Sequence, residues 1–402
     1  MTTISTALRD KTTNLGAGPS TLPTEVLLEA AQGIVDYKGT GMGITELSHR
    51  SSTFKQLLTQ AEDDLRALLD VPDEYAVLFM QGGGTEQFSA TLLNMLAVHA
   101  ARNPGAREAP PVDYVVSGAW SAKALKEAKR LTPRVNVACD IRSAICDPDA
   151  HIPEPASWSL SEAPAMLYYC DNETIDGFEF PHDFVARLPA SYRAQVPIVA
   201  DCSSNVLSRP IDVRAHAALF FGAQKNIGPS GVTVVIVRRE LVVDPDAVRT
   251  PYPPVIPTTL VYKNAMDNGS LYNTPPMFPL YVSALVFAKL RKDGGVAGAQ
   301  KRALEKSSAV YNALAAHPKR FRPTVAHPAF RSKMNITFRI LDEHTGEPSE
   351  EAETQFIKLC GEHRIEQVAG HRSVGGLRTS LYNASTLEQA HTLAALLTQF
   401  AG

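Results

Sequence analysis

Short, nearly continuous apolar runs recur through the middle of this chain: YAVLFM (75–80), VDYVV (112–116), AMLYYC (165–170), VPIVA (196–200), AALFF (217–221) and VTVVIV (232–237). They are too short for helices and lack a polar alternation, so each predicts a strand covered on both faces. Between and before them lie helix-period stripes. Residues 85–99 and 120–131 read as helices, and apolar positions 54, 57, 58, 61, 65, 68 and 69 fall on one helical face. Strands of this kind alternating with helices predict an α/β fold built on a mainly parallel sheet.

Seven prolines fall within 251–279 (251, 253, 254, 257, 275, 276 and 279), and no long periodic segment is visible there. This stretch predicts an extended crossing between domains. Beyond it, helices are expected at 281–292, 296–316, 350–363 and 386–400, with strands at 334–340 and 377–382. That is an α+β tail with its own core. Two proline-rich stretches, 100–111 and 147–164, are expected at the periphery. No internal repeat or low-complexity tract interrupts the pattern.

Composition narrows the function classes. A net charge of −3 gives no overall basic field for nucleic acid, so cationic chemistry must come from local clusters. No run approaches the ~20 apolar residues of a membrane helix. The five cysteines (139, 146, 170, 202 and 360) are odd in number and show no C-x-x-C spacing. They speak against a disulfide framework and against a metal site, and for reduced thiols. The polar segment from Met1 to Asn14 has no signal core, so a cytoplasmic protein is expected.

The strand ending near Ala200 leads into Asp201, and the next strand leads into Gln224 and Lys225. Open α/β sheets bind ligands at the carboxyl ends of their strands, so both side chains are expected at one crevice. A lysine beside a carboxylate suits pyridoxal phosphate: the amine forms a Schiff base with the aldehyde, and the carboxylate keeps the pyridine nitrogen protonated. On spacing alone, a surface lysine and a helix-capping aspartate are the better fit. The small residues of GAQKNIGPSG around Lys225 favour the cofactor. Gln81-Gly82-Gly83-Gly84-Thr85 joins a strand to a helix and suits a phosphate at the first helical turn, although a triple glycine also serves as a plain tight turn. Trp120 opens a helix after a strand, where it can stack on a flat ring or simply pack. His49-Arg50, His371-Arg372 and Arg378 are candidate partners for an anionic substrate, since guanidinium forks match carboxylate and phosphate oxygens.

Seven segments, in order, resemble one family: MGITELSHR (42–50), QGGG (81–84), YCDNETIDG (169–177), ADCSS (200–204), GAQKNIGP (222–229), YNTPP (272–276) and HRSVGGLR (371–378). They are similar to the phosphoserine aminotransferases, and the likeness runs from about residue 14 to 400. The resemblance implies a fold-type I, aspartate aminotransferase-like architecture. Its large domain (15–275) would hold a mainly parallel seven-stranded sheet, and a small α+β domain would span 276–402. Segment 1–14 would be flexible or packed on the small domain. It implies a homodimer with shared active sites, exchanging an amino group between glutamate and 3-phosphohydroxypyruvate. Lys225 would carry the cofactor covalently, Asp201 would meet the pyridine nitrogen, Thr174 the ring hydroxyl and Trp120 the ring face. Gly84, Thr85 and Gln224 would hold the cofactor phosphate, with Asn273 and Thr274 from the second subunit. Arg378 would take the substrate α-carboxylate; His49, Arg50, His371 and Arg372 would take its distal anion. Bacterial members carry an arginine in place of Thr85, so this chain looks more like the eukaryotic branch.

Two alternatives share the fold: an alanine–glyoxylate or serine–pyruvate aminotransferase, and a cysteine desulfurase. The latter needs a cysteine in a mobile late loop, whereas Cys360 falls in a helical pattern. A catalytically silent scaffold is the third alternative, and the complete Lys225, Asp201 and Thr174 set argues against it.

Overall fold

The computed structural model describes residues 4–248, 251–252 and 255–402. Seven strands form the central sheet: β1 (Tyr75–Met80), β2 (Val112–Val116), β3 (Val135–Asp140), β4 (Leu167–Cys170), β5 (Ile198–Asp201), β6 (Ala218–Gly222) and β7 (Thr233–Arg238). Their spatial order is β1-β7-β6-β5-β4-β2-β3. Only β7 runs against its neighbours, pairing antiparallel with β1 and with β6.

Every residue of β1, β2, β4, β5 and β6 is buried, which is why their sequences are apolar apart from Asp113 in β2 and Asp201 at the end of β5. Period-two alternation then divides the side chains between two cores. Val77, Phe79, Tyr169 and Ile236 enter one, while Ala76, Leu78, Tyr168 and Val235 enter the other. Helix α1 (Thr24–Val35) and helix α2 (Ser52–Leu69) cover the first face. Helix α3 (Gly83–Arg102) covers the second with Phe88, Leu92, Met95 and Leu96, beside α4 (Ala119–Leu131).

The carboxyl-terminal part begins with α5 (Met277–Lys292), whose Leu280, Val282 and Phe287 join the first core of the sheet. Helix α6 (Gly295–Ala316) leads to an antiparallel sheet of β8 (Phe321–Pro323), β9 (Asn335–Ile340) and β10 (Leu377–Ser380), with β9 central. Helices α7 (Glu350–Glu362) and α8 (Leu387–Phe400) complete a separate core around Ile336, Phe338, Phe356 and Leu393. Leu15 joins that core, and Thr13–Asn14 pair parallel with Ile365–Glu366. Among the described residues, no helix is long and apolar enough to cross a membrane.

Three departures from the sequence pattern have physical causes. Strand β3 carries no continuous apolar run because most of its residues stay partly exposed at the sheet edge, whereas the opposite edge strand β1 is buried throughout; only Ala138 in β3 is buried. The stretch 251–279 is not wholly extended, for a short helix, Tyr262–Asp267, lies against α3. There the Tyr262 hydroxyl meets Thr91 and Gln87, each at 2.8 Å. Pro253 and Pro254 lie outside the described residues. The stretch 147–164 runs along the surface but is anchored to the core. Buried Asp113 of β2 accepts from the Ser161 N–H (2.9 Å), the Ser161 hydroxyl (2.6 Å) and the Tyr192 hydroxyl (2.6 Å), and Trp158 enters the core.

Candidate active site

Parallel strands deliver their carboxyl ends to one side of the sheet, and the functional side chains gather there. After β1 the chain turns through Gly82 (φ 84°) and Gly83 (φ 69°), left-handed conformations that favour glycine, and then enters α3. The Gly83 N–H is held by the Thr233 hydroxyl at 2.7 Å, tying the turn to β7. At Gly84 a Cβ would stand 3.7 Å from Asp201 Oδ2 and 3.4 Å from Ser203 Oγ. The start of α3 therefore borders the space in front of Asp201.

Asp201 ends β5 and Lys225 follows β6; pairing of those two strands brings the residues together. Both are buried, at 5% and 8% exposure, where neither charge survives without a partner. Asp201 Oδ1 accepts from the Ser203 N–H at 2.9 Å. Lys225 Nζ donates to Thr174 Oγ1 at 2.7 Å and stands 5.7 Å from the centre of the Trp120 ring. Burial raises the Asp201 pKa, and the Lys225 charge opposes that rise. Burial lowers the Lys225 pKa, with Asp201 opposing it. A lysine so placed yields a free amine more readily than an exposed one.

Trp120 stands in the first turn of α4, and that turn is pinned by two carboxylates outside the sequence-derived set. Glu173 accepts from the N–H groups of Trp120 (2.8 Å) and Ser121 (2.9 Å) and from the Ser121 hydroxyl (2.5 Å). Asp176 accepts from the Ala119 N–H at 2.8 Å. Anions are favoured at a helix start, yet here they are buried. Burial first, and Asp176 second, push the Glu173 pKa up to about 7.

Asp201, Lys225, Thr174 and Trp120 line a cavity of about 310 Å³, together with Ala17, Gly18, Gly84, Thr85, Gln224, His371 and Arg378. Two buried polar atoms on its lining residues, Trp120 Nε1 and Asn172 Oδ1, have no hydrogen-bond partner among the described residues. A lysine amine, a carboxylate, a hydroxyl, an aromatic face and a glycine-lined helix start all fit pyridoxal phosphate, and the unpaired atoms mark the cavity as one that a polar ligand completes. A larger groove of about 1020 Å³ runs from residues 8–14 toward the carboxyl-terminal helices, but neither Asp201, Thr174 nor Trp120 lines it.

Not every sequence candidate reaches the cavity. His49, Asn273 and Thr274 form a second cluster. Gln81 Nε2 donates to Asn273 Oδ1 (3.4 Å) and to the Thr274 carbonyl (3.2 Å), and Thr274 Oγ1 meets His49 Nδ1 at 3.5 Å. Arg50 and Arg372 are exposed and outside the lining. Arg378 is inside it and donates to the Thr174 carbonyl at 3.3 Å. The amino-terminal segment also carried no expected role at the site. Ser20 Oγ donates to the Lys225 carbonyl at 2.5 Å, and a Cβ at Gly18 (φ +125°) would lie 3.3 Å from Lys225 Cγ. The only sequence sign of this contact is the small-residue run AGPS (17–20).

A doubly wound sheet with a buried lysine and aspartate at its strand ends defines an aminotransferase-like site. Residues 12–393 match the class-V aminotransferase family model. A Drosophila melanogaster phosphoserine aminotransferase is 40% identical over 96% of this chain and 98% of its own. The solved phosphoserine aminotransferase of Bacillus circulans subsp. alkalophilus superposes with a TM-score of 0.85 at 37% identity, covering 98% of this chain and 99% of that one. The solved Trichomonas vaginalis enzyme, a PLP-bound phosphoserine aminotransferase, gives 0.81 at 33%, covering 96% and 99%. The chain belongs to the phosphoserine aminotransferases.

Proposed function

We propose that this chain transfers an amino group between glutamate and 3-phosphohydroxypyruvate, giving O-phospho-L-serine and 2-oxoglutarate. The observation that carries the reading is the buried Lys225–Asp201 pair facing a cavity that His371 and Arg378 also line. Bound pyridoxal phosphate supplies an aldehyde carbon for an amine and a ring that draws electrons from the substrate α-carbon.

The protein's own groups do the rest. Lys225 would hold the cofactor covalently, and its amine, when free, would move the substrate α-proton. Asp201 would keep a proton on the ring nitrogen, and Thr174 would bond the ring hydroxyl. Trp120 covers the ring face, and the N–H groups beside Gly84 and Thr85, with Gln224, hold the phosphate. Arg378 binds the α-carboxylate of both substrates in turn. Asn273 and Thr274 are exposed and absent from their own cavity, which supports a homodimer in which they complete the other subunit's phosphate site. His49 and Arg50 would join His371 and Arg372 around the distal anion in the same way. Residues 15–275 thus supply the cofactor site, and 276–402 supply His371, Arg372 and Arg378. Five free cysteines support a cytoplasmic setting.

The test is spectroscopic. Addition of phosphoserine should remove the visible absorbance of the lysine-bound cofactor, and Lys225→Ala should lack both that band and turnover. A stronger response to alanine than to phosphoserine would instead favour an alanine–glyoxylate enzyme.

A further inference from the structure

A lysine occupies a core position of the carboxyl-terminal part. Lys306 lies on the buried face of α6, between Ala303 and Val310, and is 1% exposed. Its Nζ donates to the carbonyls of Leu381 (3.0 Å), Tyr382 (2.7 Å) and Ser385 (2.9 Å), with the Ser385 hydroxyl at 3.2 Å. No carboxylate is among these partners. Burial pulls the Lys306 pKa down to about 7, and the carbonyl dipoles favour keeping the proton. An ammonium is costly to bury and has three hydrogens to place, and here they all go to one loop. That loop leaves β10, the strand that carries Arg378, and reaches the surroundings of the cavity twice. The Tyr382 hydroxyl donates to the carbonyl of Ala17, a lining residue, and accepts from the Asn335 amide, each at 3.0 Å. The Asn383 N–H donates to Asn226 Oδ1 at 3.0 Å, and the Asn383 side-chain amide donates to the Leu207 carbonyl at 2.9 Å. Asn226 is buried and directly follows Lys225; its own amide donates to the Val206 carbonyl at 2.9 Å.

We propose that Lys306 is a positioning residue for the proton transfer: it fixes loop 381–385, and through Asn383 and Asn226 that loop fixes the direction of the Lys225 amine. The proposal rests on the reading of Lys225 as the reactive amine and deepens it. Lys225 stands in a turn after β6, so separate contacts set its backbone. Its N–H donates to the Ala223 carbonyl at 2.7 Å, and its carbonyl accepts from Ser20 Oγ. The bond from Asn383 to Asn226 adds a contact from the carboxyl-terminal part. Without the ammonium, three carbonyls lose a buried donor, and the loop must move to regain one. Arg378 is held independently, by strand pairing with Thr337. Loss of Lys306 therefore turns the amine more than it weakens binding of the substrate carboxylate. Proton transfer is sensitive to such a change, since a misplacement of about 1 Å can slow a reaction roughly a hundredfold.

The experiment follows bleaching of the visible band of the lysine-bound cofactor in single turnovers with O-phosphoserine, carrying hydrogen or deuterium on its α-carbon. It compares the unmodified holoenzyme, Lys306→Met, Asn226→Ala and the double variant. At saturating phosphoserine, Lys306→Met should be roughly tenfold to a hundredfold slower and should show a larger isotope effect. Half-saturation should stay within about threefold of the parent. Asn226→Ala should behave alike, and the double variant should be no more than about twofold slower than the slower single one. Lys306→Gln keeps an N–H donor one bond shorter; it should fall between parent and Lys306→Met, and it carries the test if the methionine variant does not fold. Unchanged rates, a loss confined to affinity, an unchanged isotope effect or additive losses would overturn the proposal. If the unmodified holoenzyme does not respond to phosphoserine, the functional reading itself fails, a result distinct from every Lys306 outcome.

Discussion

Removal of the Glu173 carboxylate should loosen Trp120 and, with it, the cofactor. Glu173 is fully buried and is the acceptor for the N–H groups of Trp120 and Ser121 in the first turn of α4. Glu173→Ala leaves both N–H groups without that partner, at a cost of about 1–3 kcal/mol for each that stays dry. The helix end can fray to reach water, so the lower limit applies, about 2 kcal/mol in total. If that cost falls on the cofactor-binding conformation, cofactor affinity drops roughly thirtyfold. Trp120 and Trp158 are the only tryptophans, so a Trp158→Phe background isolates the Trp120 signal. Cofactor binding to apoenzyme would be followed by quenching of that fluorescence. Glu173→Gln provides the control, because its amide oxygen still accepts from the Trp120 N–H; it should bind within about threefold of the parent. The pH dependence gives a second readout. Burial lifts the Glu173 pKa from 4.5 to about 7, so the folded state holds this proton more tightly than the unfolded one. Stability relative to Glu173→Gln should therefore be highest at low pH and decline as pH rises from about 4.5 to about 7. If Glu173→Ala binds cofactor within twofold of the parent with unchanged Trp120 emission, Glu173 does not position the indole.

Further outcomes are expected elsewhere. Arg378→Ala should weaken glutamate and phosphoserine alike, roughly tenfold to a hundredfold for a lost charge-assisted contact, in the same spectral titration; an effect on one substrate alone would contradict a shared α-carboxylate site. Asp201→Asn removes the negative charge that holds the Lys225 pKa up, so the apoenzyme amine should lose its proton at lower pH; the pH profile of its reaction with a simple aldehyde measures this. Gly18→Ala puts a side chain on a backbone with φ +125° and 3.3 Å from Lys225 Cγ, and should lower both thermal stability and turnover. Asp113→Ala unties Ser161 and Tyr192, and limited proteolysis should then cut within 147–164 much faster than in the parent.

Strands buried on both faces carry their signal locally, because covering both faces demands apolar residues at every position. For that reason β1, β6 and β7 lie within one residue of where the apolar runs place them. The same holds for Lys225 and Asp201, whose approach follows from strand ends meeting on one side of a parallel sheet. Edge strand β3 left no such trace, since solvent on its open side tolerates Asn136 and Asp140. Glu173 was invisible as a helix anchor: a carboxylate in a sequence reads as a surface group, and only folding carries it beneath the first turn of α4. The contact of Gly18 with Lys225 spans most of the large sheet in sequence and has no local signature.

The sequence by itself determined the α/β class, the pairing of a nucleophilic lysine with an acid, and the kinship that names the reaction, because each resides in residue type and short-range order. Only the tertiary structure decided which basic residues line the cavity, which carboxylates hold the Trp120 helix, and that His49, Asn273 and Thr274 stand apart from their own chain's cavity. Those are distances between segments remote in sequence. Chain closure sets them, and no local pattern records them.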